Sequence, residues 1–403
     1  MTHTAAAEKR IQSIDVLRGL VMVIMALDHV RDFFYRSALD NASAAALDPT
    51  NLKSTFPALF FTRWITHFCA PTFVFLSGVS VYLMSLKKTK KELSVFLITR
   101  GTWLVLVELI IITFAWTFNP AYNNLILQVI WALGVCMLLM GLLVWLPYKF
   151  ILVFGLVIFF GHNLLDLPAV NGQLHGTMFW DLAYFSNFAH YSLATDHGFY
   201  IVYPFLPWLG VMSLGFCFGK LYTPGTDAPW RRKKLLQTGF GLLLFFIVLR
   251  LTNVYGDPVK WETQERGPLY TFLSFLNITK YPPSLLFLSI TIGAGILFLA
   301  FIEKVQNGFT SFMNVFGRVP MLYYILHMYL IHILVVVVFY MQGFTSKDIV
   351  TPNNLFNFRP GTFGFGLFGV YAVWLFIIIA LYPVCKKYNH YKSTHKHWWL
   401  SYL

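Results

Sequence analysis

Roughly ten stretches of about twenty mostly apolar residues follow one another along this chain, and a bundle of membrane-spanning helices is the fold such a repetition allows. They cover 13–36, 58–86, 94–117, 122–146, 148–165, 199–221, 235–253, 281–303, 319–342 and 363–385. Only 12% of the 403 residues are charged, whereas a soluble chain carries about a quarter. The connecting segments alternate in character. One set is short and basic: Lys87, Lys88, Lys90 and Lys91; Lys149; Arg231 to Lys234; Lys304 and Arg318; Lys386, Lys387, Lys392 and Lys396. The other set, 37–57, 166–198, 254–280 and 343–362, is longer and poorer in Lys and Arg. Positive charge stays on the cytoplasmic side. With Lys9 and Arg10 inside, the pattern predicts an all-α polytopic bundle of about ten transmembrane helices with both termini cytoplasmic. It reads as one integral-membrane domain over 1–403, with 1–12 a cytoplasmic N-terminus and 386–403 a cytoplasmic tail. The break at Leu146–Pro147 splits two spans, and Gly308–Arg318 also reads as a short interfacial helix.

The formal net charge of +13 therefore reports topology; nucleic acid is not an expected partner. Cys69, Cys136, Cys217 and Cys385 sit in or at the end of apolar spans at unrelated spacings, so neither a disulfide framework nor a metal pair is expected. The first span has no A-x-A cleavage site and is expected to remain a membrane helix.

That first span, SIDVLRGLVMVIMALDHVRDFF, carries Asp15, Arg18, Asp28, His29, Arg31 and Asp32. Ionisable groups at membrane depth cost several kcal/mol, roughly 2.5–3.5 or more each, and persist where they pair or work. Arg63 and His67 of the second span, four apart on one helical face, sit at the same outer depth as Asp28 and His29. His327 and His332 lie in the ninth span, and Lys280 opens the eighth from outside. These residues converge if the first, second and ninth spans are neighbours. The plain alternative is helix–helix hydrogen bonding, the expected role of His162 and an open one for His327 and His332. Asp15 and Arg18 pair as an anchor, or Arg18 faces a phosphate. Arg31 and Asp32 read as interfacial side chains that snorkel. Glu108, mid-span, needs a partner or a proton. Pro71, Pro204, Pro207, Pro282 and Pro283 interrupt helices in their outer halves, which fits a cavity open on that side.

At these residues the chain resembles a family. Arg10 to Phe34, Thr66 to Gly78 (THFCAPTFVFLSG), Pro204 to Met212 (PFLPWLGVM), Lys280 to Ser284 (KYPPS) and Gly317 to His332 (GRVPMLYYILHMYLIH) strongly resemble the heparan-alpha-glucosaminide N-acetyltransferase-like membrane proteins, in their bacterial branch. The resemblance implies transfer of an acetyl or other acyl group from cytoplasmic acyl-CoA to an acceptor hydroxyl or amine, usually of a sugar, across the membrane. It implies acyl-CoA as co-substrate with no metal, a bacterial inner-membrane location among lipid, and a homodimer. Asp15 and Arg18 match the family's D-x-x-R-G start, and His29 falls where the animal enzymes have a catalytic asparagine. A further histidine of the animal enzymes has no counterpart in RSALDNASA (Arg36 to Ala44), so His29 or His67 takes the base role.

The reading is then His29 as general base, oriented by Asp28 or His67, with Arg63 or a proline-broken helix end on the oxyanion. Asp28, His67, His327 and His332 complete the catalytic group. Asp15, Arg18, Arg63 and Lys280 are the candidates for binding substrate or CoA. Trp180, Tyr184, Tyr191 and Trp261 are available to stack on a sugar ring. The rival class is a proton-coupled transporter or flippase, in which the same residues relay protons, and a non-catalytic scaffold or sensor is the third.

Overall fold

The computed structural model describes residues 11–36, 48–186, 188–349 and 356–401. Lys9 and Arg10, residues 37–47 and 350–355 of the two outer segments, and most of RSALDNASA lie outside them.

Among the described residues seven helices are long and apolar enough to cross a membrane: α2 (Pro57–Ser85), α3 (Lys90–Thr117), α5 (Tyr148–Asp166), α7 (Ala228–Thr252), α9 (Leu285–Ile302), α11 (Pro320–Met341) and α12 (Leu367–Thr394). Three further segments of the sequence reading are helical but differ in kind. α1 (Gln12–Phe34) has the length, at 23 residues, but carries five charged side chains. α4 (Val129–Leu143) and α6 (Leu206–Phe218) have 15 and 13 residues. Each is shortened because its upstream residues are drawn into strands: β1 (Asn124–Leu127), β2 (Ala189–Ala194) and β3 (His197–Ile201). β3 is the middle strand, parallel to β1 and antiparallel to β2. The protein is thus nearly all-α with one small sheet. A helix α8 (Pro268–Leu276) precedes α9, and α10 (Gly308–Arg318) precedes α11.

Local chemistry sets these boundaries. Thr89 and Glu92 close a capping box at the start of α3. Pro71 has no N–H for the carbonyl four residues earlier, and α2 tightens into a 3₁₀ turn over Ile65–Phe68 just before it.

α1 runs inside the bundle against α2, α9, α10, α11 and α12. Its contact with α10 is backbone to backbone. A Cβ on Gly317 would stand 1.8 Å from the Asp15 carbonyl oxygen, and one on Gly19 would stand 1.9 Å from that of Met313. Only glycine allows this approach, the small-residue packing used within membranes. α10, read as an interfacial helix, is therefore docked on α1, and it carries Arg318 to within 3.8 Å of Asp15. The far end of α1 is closed by the segment before α12. Phe365 N–H donates to the Phe34 carbonyl at 2.7 Å, and Arg36 N–H donates to the Phe365 carbonyl at 3.0 Å.

Candidate active site

α1 presents one face to a cavity of about 300 Å³. Arg18, Val21, Met22, Met25, Asp28, His29 and Asp32 line it, a stripe at helical spacing. The eleven steps from Arg18 to His29 span about 16 Å, so the cavity is long and follows the helix axis. Its wall is largely apolar, with five methionines: Met22, Met25, Met84, Met137 and Met321. Charge is divided along it. The carboxylates that line it, Asp28 and Asp32, lie with His29, Lys280, Tyr203 and Tyr281 toward one end. Toward the end marked by Arg18 come Arg100, Arg318 and Lys392.

At the first end Asp28 is a hub. Nη1 of Arg63 donates to both its oxygens, at 2.8 and 2.6 Å. The Thr66 hydroxyl lies 2.8 Å from Oδ1, Arg31 Nη1 lies 2.7 Å from Oδ1, and Lys280 Nζ lies 3.6 Å from Oδ2. Three cations thus share one buried carboxylate. Arg31 is the largest departure from expectation: it is 1% exposed, so it does not snorkel. It also contacts Asp32 at 2.5 Å, and Arg359 donates to the Asp32 carbonyl while lying over Phe33 and Phe356. The 3₁₀ turn explains Thr66. At three residues per turn it falls beside Arg63, while His67 packs against Phe287 and its Nδ1 has no hydrogen-bond partner.

His29 turns away from Asp28. Its Nδ1 lies 2.7 Å from Nε2 of His327, with the rings 11° from parallel. His327 Nδ1 in turn lies 2.8 Å from the Tyr323 carbonyl oxygen. A carbonyl only accepts, so His327 carries its proton on Nδ1 and its Nε2 accepts from His29. The His29 proton is then on Nδ1, and Nε2 is left as the basic nitrogen. Trp116 and Tyr324 stand edge-on to the ring at 5.1 and 5.9 Å. Asp28 and His67, expected to orient His29, do not; His327 does. The first span of the sequence reading packs against both the second and the ninth.

The remaining candidates are placed apart. His332 Nδ1 donates to the Ala115 carbonyl, 3.0 Å away, and the ring stacks on Phe118. Asp15 pairs with Arg18 at 3.0 Å, and Arg18 also reaches the Gly317 carbonyl and Ser80. Glu108 is fully buried in a π-helical turn, where Oε2 accepts the Trp131 N–H at 2.9 Å. It caps the N-terminus of α4, where a carboxylate meets the positive end of the helix dipole. His162 lies between the Ile158 and Pro283 carbonyls, the hydrogen-bonding role expected of it. Of the aromatic candidates for sugar stacking, Tyr184 is buried and Trp261 donates its indole N–H to the Arg250 carbonyl. Among the described residues no cluster of three or more His, Cys, Asp or Glu is arranged to hold a metal.

Lys280 reaches the site from a loop outside the spans. Asp257 in that loop accepts from Thr279 and Ser284. Burial pushes its carboxyl above the usual range, with Ser284, the Thr279 N–H and the Arg250 charge pulling the other way.

A helix bundle of this length and apolarity, with a charged cluster walled into a long internal cavity, defines an integral membrane protein. The sequence model of the family described as heparan-alpha-glucosaminide N-acetyltransferase, catalytic, matches residues 10–248, more than half of the 403, and the chain belongs to that family. Membership implies an acetyltransferase of the membrane. The match includes Asp15, Arg18, Asp28, His29, Arg63 and His67; Lys280, His327 and His332 lie beyond it. No curated protein matches the chain.

Proposed function

We propose that this protein moves an acetyl or short acyl group from cytoplasmic acyl-CoA to a hydroxyl or amine, of a sugar by family likeness, on the outer side of a bacterial inner membrane. The observation that carries the reading is the chain Tyr323 carbonyl–His327–His29, which leaves Nε2 of a cavity-lining histidine unprotonated. A thioester is already activated, so the enzyme's task is to deprotonate the acceptor and stabilise the oxyanion, and a histidine base contributes about 10²–10⁴-fold. His29 Nε2 takes the proton as the acceptor bonds to the acyl carbon. The carbon–sulfur bond then breaks, and His29 returns the proton to the CoA thiolate.

Lys280 is the cation lining the His29 end of the cavity and is the better oxyanion partner; Arg63 has its Nη1 engaged by Asp28. The long methionine-rich wall suits an unbranched flexible arm, because thioether side chains adapt to irregular shapes. Arg18, Arg100, Arg318 and Lys392 suit the phosphates at its head. The orientation that follows puts the Arg18 end in the cytoplasm. The homodimer and the sugar acceptor remain parts of the proposal that rest on family likeness.

Purified full-length protein is expected to consume acetyl-CoA, slowly by hydrolysis and faster with an amino-sugar acceptor. His29→Ala is expected to lose that turnover by about 10²-fold or more with an unchanged thermal midpoint. Undiminished turnover in His29→Ala overturns the assignment.

A further inference from the structure

The segment Lys280–Pro283 enters the site as a short loop closed on itself, with Lys280 and Pro283 bridged. Both flanks end on one carboxylate. Asp257 accepts from the Thr279 N–H and hydroxyl, both at 2.9 Å, and from the Ser284 hydroxyl at 2.7 Å. It also accepts the Val259 N–H at 2.9 Å, which closes its own turn.

Arg250, at the end of α7, holds the other side. Its guanidinium is 1% exposed and donates to the carbonyls of Phe275, Ser274 and Asn277 at 3.0, 3.0 and 2.6 Å, and to Val259 at 2.7 Å. Ser274 and Phe275 belong to the last turn of α8, where carbonyls lack partners within the helix and the dipole is negative. Arg250 lies 3.9 Å from Asp257. The loop is pinned from α5 as well, where His162 meets the Pro283 carbonyl and the Asn163 side chain accepts the Leu285 N–H at 2.7 Å.

All these bonds are spent on backbone and hydroxyl groups of residues 259–285, and the cation that this stretch places in the cavity is Lys280. We infer that Asp257, braced by Arg250, is a positioning residue that sets Lys280 Nζ against Asp28 at the reacting end of the cavity. The inference rests on the proposed role of Lys280 for its catalytic consequence, but the geometry it claims stands without it.

Two measurements on the full-length protein test it. The first is the rate at which Lys280 is labelled by a small amine-acylating reagent, read by peptide mass spectrometry with Lys87 as reference. Asp257→Asn, and the milder Thr279→Val, should raise Lys280 labelling, the former by about tenfold, the scale of one charge-assisted hydrogen bond. The second is acetyl-CoA turnover in a double-mutant cycle of Asp257→Asn and Lys280→Met. A residue acting only through Lys280 adds no loss in the Lys280→Met background. Unchanged Lys280 labelling in both loop variants, or turnover losses that multiply in the double variant, overturns the inference. If the wild-type protein consumes no acetyl-CoA, the proposed function fails, and the labelling rates alone decide the positioning role.

Discussion

A single guanidinium nitrogen of Arg63 bridges both carboxylate oxygens of Asp28, at 2.8 and 2.6 Å, and so joins α1 to α2 at the heart of the bundle. With Arg31 and Lys280 on the same carboxylate, three cations meet at Asp28, and Arg31 shares Asp32 as well. Removing one partner of a buried pair costs about 3–5 kcal/mol. Asp28→Asn should therefore destabilise strongly, and adding Arg63→Met should recover part of the loss. Thermal unfolding in detergent checks both; a neutral Asp28→Asn would contradict the hub.

His327 acts on His29 by accepting its Nδ1 proton. His327→Ala should lower kcat for acetyl-CoA turnover by about 10-fold or more, within the 10²–10⁴-fold range of base catalysis, with little change in KM. His327→Gln, which keeps an acceptor, should retain more activity than Ala. Equal losses in the two variants would remove the tautomer argument.

Much of this was legible in the chain. The apolar segments and their basic connections gave the bundle, and Asp28 and His29 stood out by the cost of their depth. Other parts were hidden for identifiable reasons. Arg31 looks interfacial because nothing in the sequence tells that the 356–366 segment covers that end of α1. Thr66 is unremarkable until the 3₁₀ turn just before Pro71 aligns it with Arg63. His327 lies far along the chain and could not be paired with His29 by spacing. The strands that shorten α4 and α6 read as apolar span, because a buried strand and a helix segment share that pattern.

The Gly317–Asp15 backbone contact sets how α10 meets α1. Gly317→Ala should overpack it, at a cost of about 1–3 kcal/mol, and displace Arg318. A lowered thermal midpoint with a raised KM for acetyl-CoA is expected; an unchanged midpoint would count against the close packing.

Cations at the Arg18 end are proposed to hold the CoA head. Arg318→Gln should raise KM several-fold with kcat nearly unchanged, and the effect should shrink at high salt as screening grows. A fall in kcat alone would place Arg318 elsewhere in the reaction.

Asp257 gives a pH dependence. Burial raises its folded value above the unfolded one, near 3.9. Its contribution to stability is therefore full below the unfolded value and is lost as pH rises through the folded one. The thermal midpoint of the wild type minus that of Asp257→Asn should narrow from about pH 4 upward. A gap that widens over that range would reverse the sign.

The most direct test is a density map of the full-length protein with acetyl-CoA. The thioester carbonyl is expected within about 3.5 Å of His29 Nε2, with the arm along Met22 and Met25 and the phosphates near Arg18 and Arg318. CoA bound outside this cavity, or a cavity filled by lipid while CoA sits elsewhere, would contradict it.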